Sequence, residues 1–352
     1  MHSTTTRDSC VVFNTSAFQD KIHELSAPFI RSFSRITRSY VFFHAFFTFF
    51  LTIELILFGL MFSNFLQSTA MAFWLAGIFL TVFTYLVLLF YLQGRRPERF
   101  MQQREIYIET VRSCIPFDPG TLEYHCCITE AIVKLTSQLR IQNVENRWIL
   151  MSETFTYLVN KFRMWTRWKD LLKIKEMLLL SSIEEHIRLI KEKPADLEAH
   201  ASLASNYVAL ATLYQDPKKL TLNEDLCWKP PEYESDEMRK KFEMALERAL
   251  EEYHIIDEYA PQDPWVHAQR AALYKELEQP EQEQIEYEKI LEMDPHNDEI
   301  LLRLGGLYFR KGETAKGLKI YDQLQGSNEE KALELINQYD AYSVEEYSFR
   351  GP

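Results

Sequence analysis

The chain has 352 residues with 39 Lys plus Arg against 51 Asp plus Glu, a formal net charge of -12, which argues against nucleic acid as a ligand. Only 10 Gly and 13 Pro exclude a collagenous or low-complexity chain. The five Cys, at 10, 114, 126, 127 and 227, lack the paired spacing of a disulfide framework.

Residues 1–40, with five basic and three acidic side chains, read as a polar, mostly disordered tail. The next segment is different: 13 of the 24 Phe fall within 41–92. Two apolar runs, 41–62 and 71–92, each offer about 33 Å of helix, enough to cross a hydrocarbon core of about 30 Å. Their connector carries no charge, whereas Arg31, Arg35 and Arg38 precede the first run and Arg95, Arg96, Arg99 and Arg104 follow the second. The positive-inside rule then predicts a transmembrane hairpin with both termini cytoplasmic. Glu54 is the one acidic residue inside it. In an antiparallel pair it falls near the level of Thr81 and Thr84, so a hydrogen-bonded staple between the helices is the expected role, with a helix of a second copy as the other candidate partner.

Residues 93–193 read as a helical linker domain. The break at Ile115 to Gly120 separates helical patterns, and 144–193 contains no Pro or Gly. Its middle interleaves Lys161, Lys169 and Lys173 with Trp165 and Trp168. Trp165, Trp168, Lys169 and Lys173 are candidates for the membrane interface, the alternative being an ordinary bundle helix with its Trp in the core. His125-Cys126-Cys127 invites a metal reading, but neighbouring residues on a helix point about 100° apart, so no metal or other cofactor is expected.

From 194 to 345 the chain repeats itself. Tyr274 recurs as Tyr308, Tyr287 as Tyr321, Ile290 as Leu324 and Pro261 as Pro295, always 34 residues on. These residues resemble the tetratricopeptide repeat (TPR) family, a helix-turn-helix unit that stacks into a solenoid. The unit 298–331 fits best, through Leu301, Leu304, Gly305, Tyr308, Gly312, Tyr321 and Leu324, with Gly317 where a packed Ala is usual. In the unit 264–297, Arg270 and Glu283 stand at normally apolar positions. A first unit begins after Pro194 and is interrupted by an insertion near 216–236 that contains Cys227 and Trp228. Residues 329–342 read as a helix capping the solenoid. The fold class is thus all-α: a transmembrane hairpin, a helical linker domain and a short TPR-like solenoid.

The resemblance implies a concave groove lined by the first helix of each unit. Its residues here would be Val208, then Trp265, Ala268, Ala272 and Lys275, then Leu302, Gly306, Phe309 and Arg310. That lining is small and apolar with aromatic anchors, and it lacks the Lys and Asn of carboxylate-clamp members. An amphipathic helix or apolar peptide is the expected ligand. No Gly-rich phosphate loop, GxSxG or Cys-His pairing points to catalysis.

The function expected is a membrane-anchored scaffold that binds a protein or peptide in this groove, in a bacterial inner membrane, with the lipid bilayer as its other partner, no nucleic acid, and the hairpin as a candidate homo-oligomer contact. The alternative is a secreted effector in a host-derived membrane. Residues 1–95 resemble the bilobed hydrophobic segment of chlamydial inclusion membrane proteins, which would place the protein in an inclusion membrane with a host partner.

Overall fold

The computed structural model describes residues 15–61, 69–139, 153–215 and 230–349. Among these the chain is all-α and divides into two units, residues 1–192 with 215–235, and residues 193–214 with 236–352.

The first unit is built on two very long helices, α1 (Thr15–Met61) and α2 (Thr69–Arg112). At 47 and 44 residues each runs for about 70 Å, over twice the thickness of a hydrocarbon core. Each therefore has two environments. In the apolar stretch the outward side chains have no protein cover: Phe42, Phe73, Phe79 and Phe90 are 72, 79, 71 and 71% exposed. Both helices are long and apolar enough to cross a membrane, with none of the most apolar window buried.

Beyond Tyr40 and Leu92 the same helices turn into core elements. Ile22, Phe29, Phe100, Tyr107 and Val111 are buried, and the Phe29 and Tyr107 rings meet edge-on at 5.4 Å. The segment 15–40 is thus helical in the structure and not the disordered tail its polarity suggests. Its apolar residues recur at Ile22, Phe29, Phe33 and Tyr40, which puts them on one face. Two more helices complete the bundle, α3 (Leu122–Gln138), whose N-cap Thr121 accepts from the Tyr124 amide, and the 40-residue α4 (Glu153–Glu192). Ile128, Leu135, Ile174, Leu178 and Leu189 fill the space between them.

The second unit comprises α5 (Leu197–Gln215), α6 (Asp236–Tyr259), α7 (Pro264–Glu276), α8 (Pro280–Met293), α9 (Asp298–Arg310), α10 (Thr314–Ser327) and α11 (Glu329–Phe349). Its helices pack pairwise, and three apolar clusters run through it in chain order. The first joins α5, α6 and α7 through Ala204, Ala249, Tyr253 and Val266. The second joins α7, α8 and α9 through Ala271, Tyr287, Ile290 and Tyr308. The third joins α9, α10 and α11 through Leu301, Leu324, Ala332 and Leu335.

The 34-residue period is visible bond by bond. Asp263 and Asn297 cap α7 and α9 at equivalent positions. The turns after those helices also match: Gln279 N donates to Tyr274 O at 2.9 Å, and Glu313 N to Tyr308 O at 2.8 Å. Glu278 and Gly312, one period apart, both take a left-handed backbone, φ 55° and 74°. Another recurrence links the first unit of the repeat to the second. His200 lies 3.0 Å from the Pro194 carbonyl and 2.5 Å from Glu252, and His267 lies 3.2 Å from the Pro261 carbonyl and 2.6 Å from Glu286. Leu301 holds that place in the third.

Candidate functional site

The repeat face carries a pocket of about 280 Å³ between α7, α8, α9 and α11. Lys275, Leu302, Gly306 and Arg310, all expected in the groove, line it. Its chemistry differs from the sequence expectation. Leu302 and Phe309 are only 6 and 5% exposed, and Gly306 is buried, because α11 lies over them. A Cβ on Gly306 would stand 2.5 Å from Gln338 Oε1, one on Gly305 would stand 2.7 Å from Leu335 Cδ2, and the Phe309 and Tyr339 rings pack at 4.8 Å. Leu302, Gly306 and Phe309 are therefore core beneath the last helix and not an open apolar wall.

What remains accessible is ionic. Arg310 forks onto Glu283, its Nη2 2.9 and 3.0 Å from the two carboxylate oxygens, and Glu283 is almost wholly buried. Glu299 takes Arg303 at 3.0 Å and Lys331 at 3.2 Å. Its hydrogen bond to Lys331, with Arg303 adding, holds its carboxyl below the usual range. Burial pushes the Tyr287 phenol up to about 12, with Glu283 beside it reinforcing the shift. Lys275 and Glu334 complete the charged lining.

The other groove residues are dispersed. Val208 is half-buried against the first cluster, Trp265 packs edge-on against Tyr253 at 5.7 Å, Ala268 packs against the second cluster, and Ala272 is exposed. The two exceptions to the repeat pattern are explained by pairing: Arg270 is buried with Asp257 and Glu286, and Glu283 with Arg310.

In the first unit, Thr81 donates to Glu54 Oε1 at 3.0 Å, which joins the two long helices. Trp168 is 3% exposed and packs on Tyr233 at 5.9 Å, so its ring is held largely inside the protein. Tyr233 sits in a short 3-10 turn, Pro231–Glu234, at the end of the insertion. Lys169 and Lys173 are exposed and paired with Glu232 at 2.7 Å and Glu176 at 2.8 Å. The side chain of Trp165, and Cys227 with Trp228, lie outside the described residues. His125 turns toward Glu185 at 3.4 Å, and burial pushes the Cys127 thiol up to about 11, with Glu130 and Glu123 adding. Among the described residues no group of three His, Cys, Asp or Glu side chains could hold a metal ion.

The architecture is that of a helical-repeat protein carrying two long apolar helices. No protein-family model matches the chain. No curated protein matches it significantly. Among solved structures it is similar to a thermophilic TPR protein of Thermus thermophilus, TTC0263, at 20% identity over 54% of this chain and 94% of that one, with a TM-score of 0.31. It is also similar to the TPR2AB domain of yeast Sti1 in its Hsp90 complex, at 19% identity over 67% and 98% with a TM-score of 0.25, and to yeast Tom70, at 10% identity over 94% and 74% with a TM-score of 0.22.

Proposed function

We propose that the protein is a membrane-anchored scaffold whose repeat unit binds a protein or peptide on the face formed by α7, α9 and α11. The anchor reading rests on the exposed Phe of α1 and α2, a surface far larger and more apolar than a water-facing helix pair presents. The positions of the Arg residues favour both termini on the cytoplasmic side.

The binding reading rests on one observation, the charged pocket among Lys275, Glu299, Arg303, Arg310 and Glu334. With both signs on its walls, it suits a segment that carries both signs, where residue types alone imply an amphipathic helix or apolar peptide. Full-length chain solubilised in mild detergent and used as bait, with Lys275→Glu and Arg303→Glu combined as control, tests this. Loss of the same captured protein from the control supports the reading; undiminished capture contradicts it.

A further inference from the structure

We propose that the first unit binds an anionic phospholipid in a pocket at the polar end of its two long helices. The inference rests on the anchor reading of α1 and α2. The pocket has a volume of about 780 Å³, within the range of small-molecule sites.

Its walls are chemically divided. Along α1 it runs from Tyr40 to Thr52 past Val41, His44, Ala45, Thr48 and Phe49, about 18 Å of helix with no Asp, Glu, Lys or Arg. Arg96, Lys169 and the Glu232 that pairs with Lys169 stand at the other end. A ligand with one charged end and one apolar end matches that division, whereas a free anion leaves the α1 wall unused.

The charged end is pre-set. The Arg96 guanidinium lies 3.5 Å over the Tyr40 ring and 3.3 Å from Asp170, and its Nε is buried with no hydrogen-bond partner. Tyr40 in turn donates to the Leu92 carbonyl at 2.7 Å, so the ring that supports Arg96 is itself fixed to α2. Lys169 keeps 65% of its side chain exposed while paired with Glu232 at 2.7 Å, an exposed and exchangeable ion pair. Arg38, Arg95 and Arg99 are exposed on the same two helices within two turns of Tyr40 and Arg96, which adds positive field where an anionic headgroup would sit. The level also fits: Tyr40 lines the pocket just beyond Phe42, where the exposed Phe stretch of α1 ends, the depth at which phosphate and glycerol groups lie in a bilayer.

Full-length chain in delipidated detergent micelles tests this, with binding of spin-labelled phosphatidylglycerol, phosphatidylcholine and glycerol 3-phosphate measured side by side. Phosphatidylglycerol should bind about tenfold or more tighter than phosphatidylcholine, and glycerol 3-phosphate should not compete. Lys169→Gln should cost about fivefold. Ala45→Trp, at an exposed position that leaves every charge in place, should remove the preference with thermal unfolding unchanged. Equal binding of the two lipids, full competition by glycerol 3-phosphate, or wild-type binding by Ala45→Trp overturns the proposal. Carbonate washing of membranes separates the two readings. Wild-type chain that washes off overturns the anchor and the lipid site together, whereas chain that stays and shows no lipid preference overturns the lipid site alone.

Discussion

The ring of Phe309 fills the space in which a methyl group on residue 317 would stand: a Cβ built on Gly317 lies 2.6 Å from Cδ1 and 2.8 Å from Cζ of that ring. This explains the missing Ala of the third repeat. Phe309 is buried between α10 and Tyr339 of α11, so the large residue on α9 and the small one on α10 form a matched pair. Gly317→Ala should destabilise the second unit by about 1–3 kcal/mol through overpacking, and Phe309→Leu should reverse most of that loss in the double variant. Thermal or urea unfolding of the four chains gives the coupling; additive effects contradict the pairing.

Glu283 and Arg310 behave as one unit. Arg310→Ala strands a carboxylate whose side chain is 2% exposed, at a cost of about 3–5 kcal/mol. Replacing both, Glu283→Leu with Arg310→Met, should restore most of the stability, because a well-packed apolar pair substitutes for a buried ion pair. A double variant as unstable as Arg310→Ala contradicts this.

Glu278 holds a backbone conformation that its counterpart Gly312 adopts without cost. Glu278→Gly should therefore stabilise the second unit by about 1 kcal/mol, read as a shift in urea midpoint at constant slope. A lower midpoint excludes strain at this turn.

His186 is fully buried on α4, with Nδ1 3.0 Å from the Ser182 carbonyl and Nε2 without a hydrogen-bond partner. Burial holds its pKa below the ordinary 6.5, with His125 acting in the same direction. The unfolded chain therefore takes up this proton at a higher pH than the folded one. The stabilising difference is complete above about pH 6.5 and is lost as the pH falls through the folded value. The thermal midpoint of the solubilised chain should fall more steeply between about pH 7 and about pH 5 than that of His186→Gln. Parallel profiles contradict this assignment.

The parts of this structure that sequence revealed are those governed by local arithmetic. The Tyr, Ile and Pro recurrences set the register of α7 to α10, and counting along an antiparallel pair brought Glu54 level with Thr81. The helix at 15–40 was also legible, in the face formed by Ile22, Phe29, Phe33 and Tyr40, but its Arg and Ser content masked that pattern. A 67-residue spacing separates His200 from His267 as it does Pro194 from Pro261, a signal open to the same search. The character of the repeat pocket was not legible. It depends on α11 docking over Leu302 and Gly306, and on Glu283 and Glu334, which lie on α8 and α11 and not on the first helices of the repeats. No period in one chain reveals which amphipathic helix covers which face.

Vectorial thiol labelling of membranes that hold the full-length chain measures the anchor most directly. With single cysteines at position 68, between the two apolar runs, and at exposed Asn337 on α11, an impermeant reagent should reach the two from opposite sides of the bilayer, on chain that resists carbonate extraction. Labelling of both from the same side of sealed membranes, or release of the chain by carbonate, contradicts a hairpin that crosses the bilayer.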